Sequence, residues 1–124
     1  MQNNNAKLKT DLKYRAYIYA PDIIKFMDSL DKKDFSVQVM TRQLLRSATS
    51  IGANIIEAQA GSTKKDFTNF FTHALKSANE SKFWLGLLRD SGKADKTRTD
   101  ELLNETTQLS NILGSSILTL KGKK

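Results

Sequence analysis

The sequence contains no cysteine, one proline and one histidine in 124 residues. Each scarcity closes off a class of chemistry. Without cysteine there are no disulfides, zinc–thiolate centres or thiol nucleophiles. The one histidine, His73, would need a second ligand three or four residues away to hold a metal on a helix, but Asn69, Lys76 and Ser77 occupy those positions. A hydrolytic triad would need His73 to meet a serine and a carboxylate, and no nucleophile-elbow sequence is present. Glu57 and Glu80 stand isolated among apolar and uncharged polar residues. They support only the weakest of the enzyme readings. The expectation is therefore no catalytic residue, no cofactor and no metal.

Long apolar runs are also missing, so no segment is expected to span a membrane. The opening "MQNNNAKLKTD" is polar and lacks the apolar core of a secretory signal, which makes the cytoplasm the expected location. Six glycines and one proline leave few obligatory breaks. Strict two-residue alternation is scarce, and apolar residues recur at spacings of three and four.

That period predicts an all-α chain with four helices, at roughly 11–31, 36–60, 63–91 and 95–120. Residues 1–10 read as a flexible N-terminal segment, 11–121 as one bundle domain and 122–124 as a basic tail. The first helix carries Ile23, Phe26, Met27 and Leu30 on one face. Pro21 either kinks it near Tyr17 or marks the start of its regular part. The second has Ser36 as its expected N-cap and Val37, Met40, Leu44, Ala48, Ile51 and Ile55 as its apolar stripe. Gly61 suits its C-terminal cap, and Ser62 or Thr63 caps the third helix. The third helix carries Phe67, Phe70, Phe71, Ala74, Ala78, Leu85 and Leu88 as its apolar stripe and stops at Gly92; the fourth carries Leu102, Thr106, Leu109, Leu113, Ile117 and Leu120 on one face. Short connections make consecutive helices antiparallel neighbours in an up-down-up-down four-helix bundle.

The stretch "LLRSATSIGANIIEAQAGSTKKDF" is crowded with small residues. A phosphate-cradling loop would need several glycines followed by Lys and Ser or Thr, and that pattern is missing. Gly52 instead lies mid-helix, where glycine costs roughly 1 kcal/mol relative to alanine. The expected compensation is close approach of a bulky neighbour from the third helix: Phe67, Phe71 or Trp84.

The third helix has a second apolar face. Phe83 and Leu87 project opposite its core stripe, Trp84 sits at the boundary, and Lys76 and Glu80 share the outer side. An exposed apolar patch of this kind predicts a homo-oligomer. The competing reading is cover from within the chain, by helix ends or by the segment around Tyr14, Tyr17 and Tyr19. On the second helix, Arg42, Arg46, Ser50, Ala53 and Glu57 line one outer stripe. Either arginine can pair with Glu80, in the same chain or a neighbour, or contact phosphate, or remain solvated.

The formal charge of +7 raises the prospect of an anionic partner, RNA or DNA, against a merely soluble basic surface. The main candidate contacts are Arg42, Arg46, Lys76, Lys82 and Arg89, with Lys64, Lys65 and the tail lysines behind them. Few aromatic residues are expected to be free to stack on bases.

In "RSATSIGANIIEAQAGSTKKDF" and "ALKSANESKFWLGLL" the chain resembles the bacterial four-helix-bundle family typified by the intervening-sequence proteins of large-subunit ribosomal RNA genes. The matching residues are Arg46, Ser50, Ile51, Ala53, Asn54, Ile55, Glu57, Ala58, Asp66, Phe67, Ala74, Leu75, Ser77, Glu80, Trp84 and Leu85. They cover the second and third helices; the other two match in length and pattern, with Pro21 as a departure. The resemblance implies a barrel-like homopentamer. The candidate interface residues, read from the outer faces of the second and third helices, are Phe83, Trp84, Leu87, Glu57 and Glu80. It also implies distant kinship with the accessory protein of diversity-generating retroelements, and through it a nucleic-acid-processing protein as a further partner. No catalytic residue comes with it.

Overall fold

The computed structural model describes residues 4–61 and 63–122, with side chains described from Leu12 onward. The chain forms a four-helix bundle, and no strand occurs among the described residues. The helices are α1 (Asn4–Asp28), α2 (Phe35–Ala60), α3 (Lys64–Asp90) and α4 (Lys96–Leu120). α1 and α3 each pack along α2 and α4, and their own backbones do not approach each other closely. They therefore occupy diagonal corners. α3, the longest at 27 residues, runs about 40 Å at about 1.5 Å per residue.

The apolar period translates directly into the core. Ile23, Phe26, Leu44, Ile51, Ile55, Leu85, Leu88, Leu109 and Leu113 are all buried, and one cluster joins all four helices. Phe67 and Phe71 contact ring to ring, with centroids 4.5 Å apart, where α3 begins. α1 extends further toward the N-terminus than the expected start near residue 11 and ends before 31, although Leu30 beyond its end is still buried. It also continues unbroken past Pro21, so Pro21 does not begin the regular helix. Proline lacks the N–H that would bond the Tyr17 carbonyl. Both residues are exposed, so water can take up that carbonyl.

Helix ends follow from short polar side chains. Asp34, not Ser36, caps α2: its carboxylate accepts the Val37 N–H at 3.1 Å and its backbone is extended, whereas Phe35 is already helical. Gly61 is the C-cap of α2 with φ −68°, so no left-handed backbone is needed there. Thr63 caps α3 by accepting the Asp66 N–H at 3.0 Å; Ser62 lies outside the described residues. α3 ends in a Schellman arrangement. Lys93 N–H bonds the Leu88 carbonyl and Gly92 N–H the Arg89 carbonyl, with Gly92 at φ +76°, where a Cβ would be strained.

Asp34 also accepts a hydrogen bond from Lys93 Nζ at 2.7 Å, tying the start of α2 to the α3–α4 connection. The Lys93 bond and the Val37 N–H hold its carboxyl below the usual carboxylate range. A depressed folded value means that the carboxylate stabilises the fold above its ordinary pKa and loses that effect as pH falls through the folded value. Asp34→Ala is expected to melt below wild type at neutral pH, with the gap closing in acid. Asp34→Asn, which can still cap, should lie between them. Thermal melts across an acid series check this.

A hydroxyl layer crosses the core with one side chain from each helix. Tyr19 OH meets Thr106 Oγ1 at 2.6 Å, and Ser47 Oγ meets Ser81 Oγ at 2.8 Å. Ser81 also bonds the Tyr19 hydroxyl. Thr106 donates to the Leu102 carbonyl and Ser81 to that of Ser77. No buried side-chain polar atom among the described residues lacks a partner. Ser47 and Ser81 sit at core spacing, between Leu44 and Ile51 and between Ala78 and Leu85. That polar residue on an apolar stripe was the available signal for the layer.

Candidate interaction surfaces

On α3, Phe83 is 60% and Leu87 40% exposed. Trp84 is half-buried at the edge and meets the Phe83 ring in a T-shaped contact, centroids 4.9 Å apart. Cover by the N-terminal tyrosines does not occur. Tyr19 is in the core, while Tyr14 and Tyr17 are 64% and 69% exposed on the diagonally opposite helix.

Glu80 organises the polar side of this patch. It takes an ion pair from Arg46 of α2 in the same chain and accepts the Trp84 indole N–H at 3.3 Å. Arg46 also donates to Gln43 at 3.2 Å. Arg42 and Lys76 are exposed and make no ion pair among the described residues. Glu57 is exposed further along α2, and it too makes no ion pair among the described residues.

The other two candidate cations lie toward α4. Lys82 is half-buried and donates to Ser110 Oγ at 3.2 Å. Arg89 bridges Asp90 and Asp100, each at 2.8 Å. Those two carboxylates keep its guanidinium firmly protonated. Asp90 is in turn held below the usual carboxylate range by Arg89, and Asp100 by Lys96 and then Arg89. The five candidate cations are thus divided between two sides of α3. The α2–α3 side holds the exposed Arg42 and Lys76 and the paired Arg46; the α3–α4 side holds Lys82 and Arg89, both already bonded.

The expected shortage of free aromatic rings is not found. Tyr14, Tyr17, Phe35 and Phe83 are all well exposed, because they occupy outer positions of their helices that the core does not reach. A shallow cleft of about 390 Å³, lined by Ala58, Gly61, Thr63, Phe67 and Leu120, offers Lys64 as its charged group. His73 is exposed. Among the described residues no group of three or more His, Asp or Glu gathers as metal ligands, and no helix is long and apolar enough to cross a membrane.

Comparison with known proteins gives this geometry a family. Residues 9–115 match the family described as 23S rRNA-intervening sequence protein. The chain belongs to that family. A crystal structure from Bacteroides thetaiotaomicron, described as a protein of unknown function from the S23 ribosomal protein family, is 36% identical. The similarity covers 86% of this chain and 97% of that one, with a TM-score of 0.79. No curated protein matches. In this intervening-sequence protein the residues that carry the resemblance have physical roles. Ile51, Ile55, Ala58, Ala74 and Leu85 are buried in the core. Asn54 donates to the Ser50 carbonyl at 2.8 Å. Arg46, Glu80 and Trp84 form one connected group across α2 and α3.

Proposed function

We propose that this intervening-sequence protein is a non-enzymatic homo-oligomer, a barrel-like pentamer of antiparallel up-down-up-down bundles, whose basic surface binds RNA or DNA with little sequence preference. The antiparallel order is supported by paired contacts. Asp34 with Lys93 and Arg46 with Glu80 join early α2 to late α3 and later α2 to earlier α3. The carrying observation for nucleic acid is the +7 charge, with Arg42 and Lys76 exposed beside the α3 patch and without an ion pair among the described residues. Repetition of even a modest charge around an oligomer makes a strong field. Arg46 and Arg89 are secondary contributors, since carboxylates already neutralise them. That neutralisation favours the second reading, a protein-interaction module whose charge serves solubility.

Fluorescence anisotropy with labelled RNA and DNA over a salt series decides between them. Binding is expected to weaken by about one log unit per log unit of salt for each phosphate neutralised. Arg42→Glu with Lys76→Glu should reduce both the affinity and that slope. Absence of binding at low salt leaves the protein-interaction reading. Salt-sensitive binding that ignores both substitutions moves the contacts to other cations.

A further inference from the structure

Phe35 opens α2 and, at 77%, is the most exposed large apolar side chain among the described residues. Lys32 and Lys33 stand in the turn before it, and Arg42 lies two helical turns after it on the same outer face. All three cations are exposed and make no ion pair among the described residues. Val39, also exposed, fills the space between the ring and Arg42. The Gln38 amide donates to the Lys32 carbonyl at 2.7 Å, which holds the lysine-bearing turn against the first turn of α2. The carboxylates of this turn are engaged. Asp34 pairs with Lys93 and accepts the Val37 N–H, and Asp31 accepts the Lys33 backbone N–H at 2.9 Å. Asp28 continues the outer stripe of α1, four residues after Ile24.

We propose that this surface binds single-stranded nucleic acid, with one base stacked on the Phe35 ring and the flanking phosphates held by Lys32, Lys33 and Arg42. The inference rests on the nucleic-acid reading above, and it adds the strandedness of the ligand and its place on the bundle. A ring face left in water gains most from a flat apolar partner, and every base offers one, so the contact tolerates any sequence. In a duplex each base face is already covered by its neighbours in the stack. Only an unpaired strand can turn a base onto Phe35. Phe35 and Arg42 lie about 10 Å apart along α2, at about 1.5 Å per residue. Cations thus stand on both sides of the ring, where the backbone enters and leaves a stacked nucleotide. The anion contacts come from side chains, because Asp34 already occupies the first turn of α2. Phe83 is a poorer platform, since Trp84 already lies against its ring.

The test measures fluorescence anisotropy of the full chain with short mixed-sequence strands, as RNA and as DNA, and with the same strands annealed to their complements. Phe35→Ala should weaken single-strand binding about 5- to 150-fold, the range for losing one stacked base. Duplex binding should stay at the wild-type value. Phe35→Leu keeps an apolar side chain and removes only the ring face, so it should lose as much, and it stands in if alanine disturbs the start of α2. Phe35→Trp should bind at least as tightly as wild type. The salt slope should be unchanged in all three, because stacking releases no counterions, whereas Lys32→Glu with Lys33→Glu should lower it. Wild-type affinity in Phe35→Leu, an equal loss on duplex, or a slope that ignores the lysine pair would each overturn this site while leaving nucleic-acid binding standing. A changed mass of Phe35→Ala on a sizing column would make Phe35 a contact between copies and overturn it as well. Absence of binding to every probe at low salt would remove both readings.

Discussion

Replacing Tyr19 by alanine is expected to cost about 3–5 kcal/mol of stability, the range for deleting a buried aromatic side chain. Tyr19 is fully buried, and its ring fills the space between α1 and α4 while its hydroxyl completes the four-helix polar layer. Tyr19→Phe separates these two contributions. It keeps the ring and removes only the hydroxyl. Thr106 still donates to the Leu102 carbonyl and Ser81 to that of Ser77, so no buried donor is stranded. The expected cost is about 1 kcal/mol. Urea unfolding at neutral pH measures both variants.

A second signature of Tyr19 lies in alkali. Burial pushes its phenol from 10.0 up to about 12, against the opposing hydrogen bonds to Thr106 and Ser81. The folded state therefore holds the proton more tightly than the unfolded chain. The stabilisation is fully present below pH 10 and is lost as pH rises toward about 12. Tyr19→Phe should lack this loss, so the stability difference between wild type and variant should shrink, and can change sign, across that interval. A difference that stays constant through it would show that the hydroxyl is not held in the buried network.

The next largest effect is expected at Gly52, with a sign that depends on the substituent. A Cβ built there would meet the Ala16 carbonyl oxygen at 3.5 Å and the Ala16 Cβ at 3.8 Å, which is ordinary contact. Gly52→Ala should therefore be neutral or gain up to about 1 kcal/mol from helix propensity. Gly52→Leu has no such room. Its further carbons would run into the backbone of α1, and forcing the helices apart should cost about 1–3 kcal/mol. Thermal and urea unfolding of the two variants give the comparison. Equal stabilities for Ala and Leu would show that α1 does not approach α2 at this point. The expected neighbours Phe67, Phe71 and Trp84 are not the ones that approach. Gly52 faces α1, where Ala16 is small enough to let the two backbones come together.

That correction shows where the amino-acid sequence stops being informative. Apolar spacing of three and four gives the direction of each side chain around its own helix axis. It was enough to place Leu44, Ile51, Leu85 and Leu109 in the core and Phe83 and Leu87 outside it. Gly92 and Thr63 ended or began helices where expected, because turn and cap geometry is decided by a few adjacent residues. Asp34 displaced Ser36 for the same local reason: a carboxylate there reaches the Val37 N–H, and the helix begins one residue earlier.

Which element faces a given side chain depends on the arrangement of all four helices. Spacing along one helix does not contain it. For that reason only the tertiary structure brought Ala16 to Gly52, joined Tyr19, Ser47, Ser81 and Thr106 into one layer, and set α1 and α3 at opposite corners. Long charged side chains add a second indeterminacy, since each reaches several partners from one position. The sequence by itself therefore determined four helices, their buried faces and a surplus of positive charge. The fold alone decided that Arg46 and Arg89 are held by carboxylates while Arg42 and Lys76 remain exposed, because pairing requires the partner helix at the right rotation and height.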